Sequence, residues 1–250
     1  MRIIISPAKQ MLEDTDTLAP LGTPVFMEKT GELLQYLRQL SYEEAKKLWG
    51  CSDKIAQQNF ERIRHMDLSR GGTPALLSYD GIAYKYMAPA VFEDRQLAYV
   101  QEHLRILSGF YGVLKPMDAV TPYRLEMQAK AGVSGSGDLY GFWGDSLYRE
   151  VMDESRILVN LASKEYSRCV EKYLTSGDIY ITCIFGELEN GRIVQKGVYA
   201  KMARGEMVRF MAEHAIEDPE DMKTFQCLGY QFDEARSDAR QYVFLKHEIG

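Results

Sequence analysis

The sequence predicts an α/β fold: a single compact domain of mixed sheet and helices. Three observations carry this. Short apolar runs such as Arg2–Ile5 are interspersed with amphipathic stretches along the whole chain. The 250 residues are 46% hydrophobic and 26% charged, close to ordinary globular usage and sufficient for a full core. No repeat, low-complexity tract or linker divides residues 1–250. Strict βαβ alternation fails in the first hundred residues, where helices dominate, so a doubly wound sheet is not expected.

The elements follow in order. Arg2–Ile5 reads as a buried strand ending in the turn-forming Ser6-Pro7 pair, and residues 9–24 as loop. Phe26, Leu33, Leu34, Leu37 and Leu40 fall near one face of a helix over 25–40. Ser41-Tyr42-Glu43-Glu44 is a capping box opening a second helix, and Ser52 is placed to cap a third reaching about His65. A Gly-Gly loop over 69–74 precedes a candidate strand over 75–79. A helix is expected over 93–107, stopped at Gly109, and another within 139–152, with Asp145 as a cap. Residues 156–161 read as a strand, after which Ser163 caps a helix to about Tyr173. Strands over 179–188 and 192–194 flank Asn190-Gly191, a strong hairpin signal. A long helix spans 199–215, and Asp218-Pro219-Glu220-Asp221 has the cap, proline and acids of a helix start. Strands over 230–233 and 242–246 close the chain.

Formal net charge is −6, which argues against a generic nucleic-acid binder. The acidity is uneven, however. Residues 211–250 hold nine acids against four Lys/Arg, whereas residues 1–210 hold 27 against 26. Two local clusters are basic: Arg192, Lys196, Lys201, Arg204 and Arg209 with Glu206 alone opposing, and Arg105, Lys115, Arg124 and Lys130 against Asp118 and Glu126. Either could be a solvated face; convergence of both would indicate an anion site.

Several functional classes drop out. His65, His103, His214 and His247 are scattered, and Cys51, Cys169, Cys183 and Cys227 form no Cys-x-x-Cys pair, so neither a metal site nor a disulfide framework is expected. Gly-x-Ser-x-Gly, a Walker loop and Gly-x-Gly-x-x-Gly are all missing, and no cofactor is expected. The start MRIIIS reads as a first strand, not a signal peptide, and no run approaches membrane-spanning length. A cytoplasmic protein without a membrane partner is the expectation.

The remaining candidates are loops and helix faces bearing cations. In ISPAK, Lys9 follows a strand end, where α/β folds place ligands. In LLSYDGIAYKYM, tyrosines flank Lys85, which suits nucleic acid or simply sideways packing. In HLRILSGFYGVLKPMD, Gly109 and Gly112 free a turn between Arg105 and Lys115, so that its N–H groups suit a phosphate. That stretch resembles the hairpin of helix-hairpin-helix modules, with one residue too many between the glycines. Lys201 and Arg204 share one side of a helix, and Gly205 beside them is expensive unless something approaches closely.

Six blocks occur in the order of the bacterial YaaA family of peroxide-stress-resistance proteins: ISPAK, HLRILSGFYGVLKPMD with PYRLEM, LYGFWGD, VNLASKEY, YAKMARG and GYQFD. The chain is identified as a member on that resemblance, which covers nearly all of it; most of 9–72 and 175–196 carries none of the blocks. The resemblance implies a cytoplasmic protein that limits iron-dependent damage under hydrogen peroxide. It further implies one α/β domain of unusual topology, a helix-hairpin-helix-like element and a positively charged cleft able to bind DNA. Matched by motif, the cleft residues would be Lys9, Lys85, Arg105, Lys115, Arg124, Lys201 and Arg204, with Gly109 and Gly112 at the turn.

Three readings follow. The first is a DNA-binding protective protein, sequence-independent, with Tyr84, Tyr111 or Tyr123 stacking on bases. A second is an enzyme acting on a nucleotide or damaged DNA, with Lys115 near Asp118 or Lys85 near Asp80 as amine and acid/base partner. The third is an iron-sequestering protein using Glu126, Asp138, Asp145 and Glu165. A small phosphorylated ligand is an alternative partner for the same cations.

Overall fold

The computed structural model describes residues 1–14, 16–70 and 72–247; Thr15 and Gly71, inside two of the expected loops, and residues 248–250 lie outside them. In chain order the strands are β1 (Arg2–Ile5), β2 (Gln10–Met11), β3 (Thr73–Pro74), β4 (Tyr79–Asp80), β5 (Leu104–Ser108), β6 (Gly112–Leu114), β7 (Ala119–Val120), β8 (Ile157–Asn160), β9 (Ile179–Glu189), β10 (Arg192–Val194), β11 (Tyr230–Phe232) and β12 (Gln241–Lys246). The helices are α1 (Met27–Gln39), α2 (Tyr42–Trp49), α3 (Asp53–His65), α4 (Ala75–Ser78), α5 (Ile82–Met87), α6 (Asp94–His103), α7 (Leu139–Trp143), α8 (Ser146–Val151), α9 (Lys164–Glu171) and α10 (Gly197–His214).

One mixed sheet organises the chain, in the order β11-β12-β9-β8-β1-β5-β6, with β10 paired to β9. The run from β12 to β5 is parallel; β6, β10 and β11 attach antiparallel at its margins. β1 is central, and Ile3, Ile4 and Ile5 are almost wholly excluded from solvent. That explains why it reads as a continuous apolar run: a parallel strand covered on both faces has no polar side to alternate. The α/β class of the sequence reading is borne out.

The topology reverses at β1. From β1 the chain moves to β5 on one side, then crosses back to β8 on the other and continues to β9. The connections leaving β1 and β8 therefore diverge in opposite directions. Beyond the carboxyl ends of two such strands a crevice opens, where ligands bind in open α/β sheets.

Local signals are mostly realised. Ser41 and Glu44 form both halves of the capping box of α2. Asn190 and Gly191 take positive φ (50° and 75°), as the two-residue turn between β9 and β10 requires. Ser52 and Asp145 stand at N-cap positions without capping hydrogen bonds.

Five expectations need correction. Residues 75–78 form a helical turn, not a strand: Ala75 N–H and Leu76 N–H donate to Asp118 O and Pro116 O, both at 2.9 Å. A short apolar run fits either state, and here the tertiary partners decide. The helix expected over 93–107 ends at His103, and Leu104–Ser108 is a fully buried strand between β1 and β6. Being covered on both faces, it shows no alternation that would separate it from the helix before it. Residues 104–114 are accordingly a β-hairpin, so the turn expected to resemble a helix-hairpin-helix is flanked by strands. Finally, the helix within 139–152 is two short ones broken at Gly144, and the start at Asp218 leads into a 3-10 helix, Pro219–Thr224.

Candidate functional site

A cavity of about 430 Å³ lies beyond the carboxyl ends of β1 and β8, at the switch point. Residues 5–10 form one wall, Leu161, Ser163 and Glu165 another. The two strand exits are tied together. Ser163 N–H donates to Ser6 Oγ at 2.8 Å, and the Ser6 hydroxyl donates to Ser163 Oγ at 3.2 Å. Tyr84 of α5 donates its hydroxyl to Ser6 O at 3.0 Å, anchoring a third wall. Residues 123–126 and α10 complete the enclosure.

Five of the seven predicted cations meet here: Lys9, Lys85, Arg124, Lys201 and Arg204. Asp80, Glu126 and Glu165 are the acids among them. Glu126 holds Lys9 at 2.9 Å and Arg124 at 3.1 Å, and Lys85 pairs with Asp80 at 3.1 Å. Lys201 and Arg204, one turn apart on α10, have no carboxylate partner among the described residues. Arg204 is half-buried, its Nε is enclosed without a hydrogen-bond partner, and burial depresses its guanidinium below the ordinary arginine range. Burial, with Glu126 nearby, raises the Glu165 carboxyl above the usual glutamate range.

Gly205 explains how α10 reaches this position. A Cβ there would lie 1.9 Å from Ala83 O and 3.0 Å from Met87 N. The bare backbone lets α10 cross directly on α5, which brings Lys201 and Arg204 to the wall carrying Lys85. The expectation of a close approach at this glycine is borne out.

Arg105 and Lys115 are not brought to the cavity. Arg105 is 4% exposed and donates to Gln101 O, Glu102 O and Leu104 O at 2.7–3.2 Å, capping the carboxyl end of α6. Lys115 is exposed on the hairpin, and its backbone N–H donates to Asp118 Oδ2 at 2.8 Å. Gly109 and Gly112 are buried. A Cβ on Gly109 would meet Leu125 O at 2.5 Å, and one on Gly112 (φ 77°) would meet Trp143 and Phe26. Gly109 thus serves the cavity indirectly, because it lets the Arg124–Glu126 segment pack onto the sheet.

The tyrosines named as stacking candidates lie inside. Tyr84, Tyr111 and Tyr123 are at most 6% exposed. Tyr123 hydroxyl contacts Ser108 Oγ at 2.6 Å and Tyr79 hydroxyl at 2.9 Å, forming a polar thread through the core beneath the cavity. Of the acids considered for iron, Asp138 caps α7 and Asp145 pairs with Arg149, so they are not gathered with Glu126 and Glu165. Among the described residues no group of three or more His, Cys, Asp or Glu is clustered for a metal. Burial pushes the Cys169 and Cys183 thiols up to about 12, away from the thiolate that reacts with peroxide.

The sequence reading passed over two features of the site. Ser6 appeared only as a turn former and Ser163 only as a helix cap at a strand–helix junction, although a serine one to three residues after an apolar strand occurs in both ISPAK and VNLASKEY. Pairing of the strand ends needs the β1–β8 register, which no local pattern supplies.

Fold and site together define an α/β protein with a ligand-sized cavity at a switch point, walled by basic side chains. The family described as "Peroxide stress protein YaaA" matches residues 1–236, and the chain belongs to that family. It is 60% identical over 244 residues to a UPF0246 protein of Agathobacter rectalis, covering 98% of both chains. It is also 55% identical to a UPF0246 protein of Lachnoclostridium phytofermentans (99% of this chain, 97% of the relative) and 48% identical to one from Lactiplantibacillus plantarum (98% and 99%). No helix among the described residues is long and apolar enough to cross a membrane.

Proposed function

We propose that this protein binds DNA in the cytoplasm during the peroxide stress response, gripping the phosphate backbone in the switch-point cavity and shielding it from iron-dependent damage. The convergence of five basic side chains at this one place supports the reading. Lys201 and Arg204 weigh most, since a half-buried guanidinium without a partner is completed by an incoming anion. Lys9, Arg124 and Lys85 already hold carboxylates and would exchange them for phosphate. Such contacts read the backbone and not the bases, so affinity is expected to be independent of sequence and to fall steeply with salt.

The test is fluorescence anisotropy of labelled mixed-sequence DNA across a salt series. Lys201→Gln is expected to weaken binding alike on all sequences and to reduce the slope of log affinity against log salt by about one. Lys115→Gln, on the hairpin, is expected to leave both unchanged. Loss of binding in Lys115→Gln with none in Lys201→Gln would move the interface to the hairpin and overturn the assignment.

A further inference from the structure

The cations of the switch-point cavity lie at two depths. Lys9, Lys85 and Lys201 are exposed at its rim, whereas Arg124 and Arg204 are drawn into the wall. We infer that the inner part of the cavity takes a phosphomonoester dianion, the group that ends a DNA strand, in preference to a diester within one. The inference deepens the DNA reading and rests on its placement of the phosphate.

The donors there are open. Arg204 Nε is sealed from solvent, but the two terminal nitrogens are not, and they donate to no acceptor among the described residues. Lys201, one turn away on α10, is exposed and equally without a partner among them. Ser163 adds a third donor: its Oγ accepts from the Ser6 hydroxyl, and its own proton is uncommitted among the described residues.

Charge and shape specify the ligand. Five cations against three carboxylates leave the cavity a surplus of two positive charges. The two cations without carboxylates stand together on α10, so the surplus is concentrated at one place. A phosphomonoester carries about −1.5 to −2 at neutral pH on three terminal oxygens. A backbone diester carries a single negative charge and two such oxygens, and neutralises half of that surplus. A cavity of about 430 Å³ is of the size that encloses one small molecule. An internal phosphate has chain on both sides and must enter and leave past the rim lysines. A strand end only enters, and reaches Arg204 while the diesters behind it lie along the rim.

The test compares internally labelled duplexes of one sequence and length whose ends carry hydroxyls only, 5′-phosphates or 3′-phosphates, by anisotropy at one salt concentration. At least one phosphate-ended form is expected to bind about tenfold tighter than the hydroxyl-ended one. In Lys201→Gln and in Arg204→Met that ratio is expected to fall below about twofold. Lys201→Gln is an exposed change and carries the test should Arg204→Met fold poorly. A nucleoside monophosphate, lacking the rim contacts, is expected to displace phosphate-ended DNA only at concentrations on the order of millimolar. Displacement by far less of it, with no preference among the DNA ends, would assign the monoester site to a free nucleotide and overturn the strand end as its ligand. Equal affinities for all three ends without such displacement would overturn the monoester site while leaving the cavity as the backbone grip. A preference that survives in both variants would place end recognition elsewhere and overturn it too. Binding of no DNA form would overturn the DNA reading itself.

Discussion

Replacing Gly205 with alanine is expected to lower the melting temperature by about 4–8 °C. A methyl group there would lie 1.9 Å from Ala83 O, far inside van der Waals contact, so α10 must lift off α5. Overpacking of this kind costs about 3 kcal/mol. The gain in helix propensity on leaving glycine is about 1 kcal/mol. The net loss of about 2 kcal/mol gives the stated shift for a chain of this size. DNA affinity is expected to fall as well, because Lys85 rides on one helix and Lys201 and Arg204 on the other. Thermal denaturation followed by circular dichroism checks the first effect and anisotropy the second. An unchanged or higher melting temperature would mean that the helices do not cross as closely as described.

Arg204→Met should act in opposite directions on stability and binding. The arginine holds a half-buried charge and an enclosed Nε with no partner, and both are unfavourable in the free protein. Methionine has similar length and no polar group to satisfy. Its substitution is expected to stabilise the fold by about 1 kcal/mol, raising the melting temperature by about 2–4 °C. The same change removes the cation for which the cavity has no internal counter-ion, and is expected to weaken DNA binding by at least about tenfold. A side chain kept at a cost in stability and required for binding is the mark of a functional group. If Arg204→Met is instead destabilising and binds normally, the arginine is structural.

Local chemistry made much of the fold legible. The α2 capping box, the Asn190-Gly191 turn and the α10 helix each depend on neighbours within a few residues, so the sequence announces them. β5 shows where legibility stops. Its five residues are all buried, and its identity as a strand is decided by β1 and β6 beside it, far away in sequence. The same limit governs the site. Lys9, Lys85, Arg124, Lys201 and Arg204 could be picked as cations near strand ends and helix faces. Arg105 drops out because β5 turns it back under α6. Lys115 drops out because the hairpin carries it to a different surface. Gly109 and Gly112 were legible as glycines that some geometry demands, but the demand is close packing against Leu125 and Trp143.

The most direct test of the central claim is hydrogen exchange by mass spectrometry with and without saturating mixed-sequence DNA. The account predicts added protection in the loop over 6–10, the segment 123–126 and the first turns of α5 and α10. It predicts none in the hairpin turn over 109–112 or at Lys115. Protection confined to that hairpin, or none anywhere at low salt, would contradict the assignment of the switch-point cavity as the DNA grip.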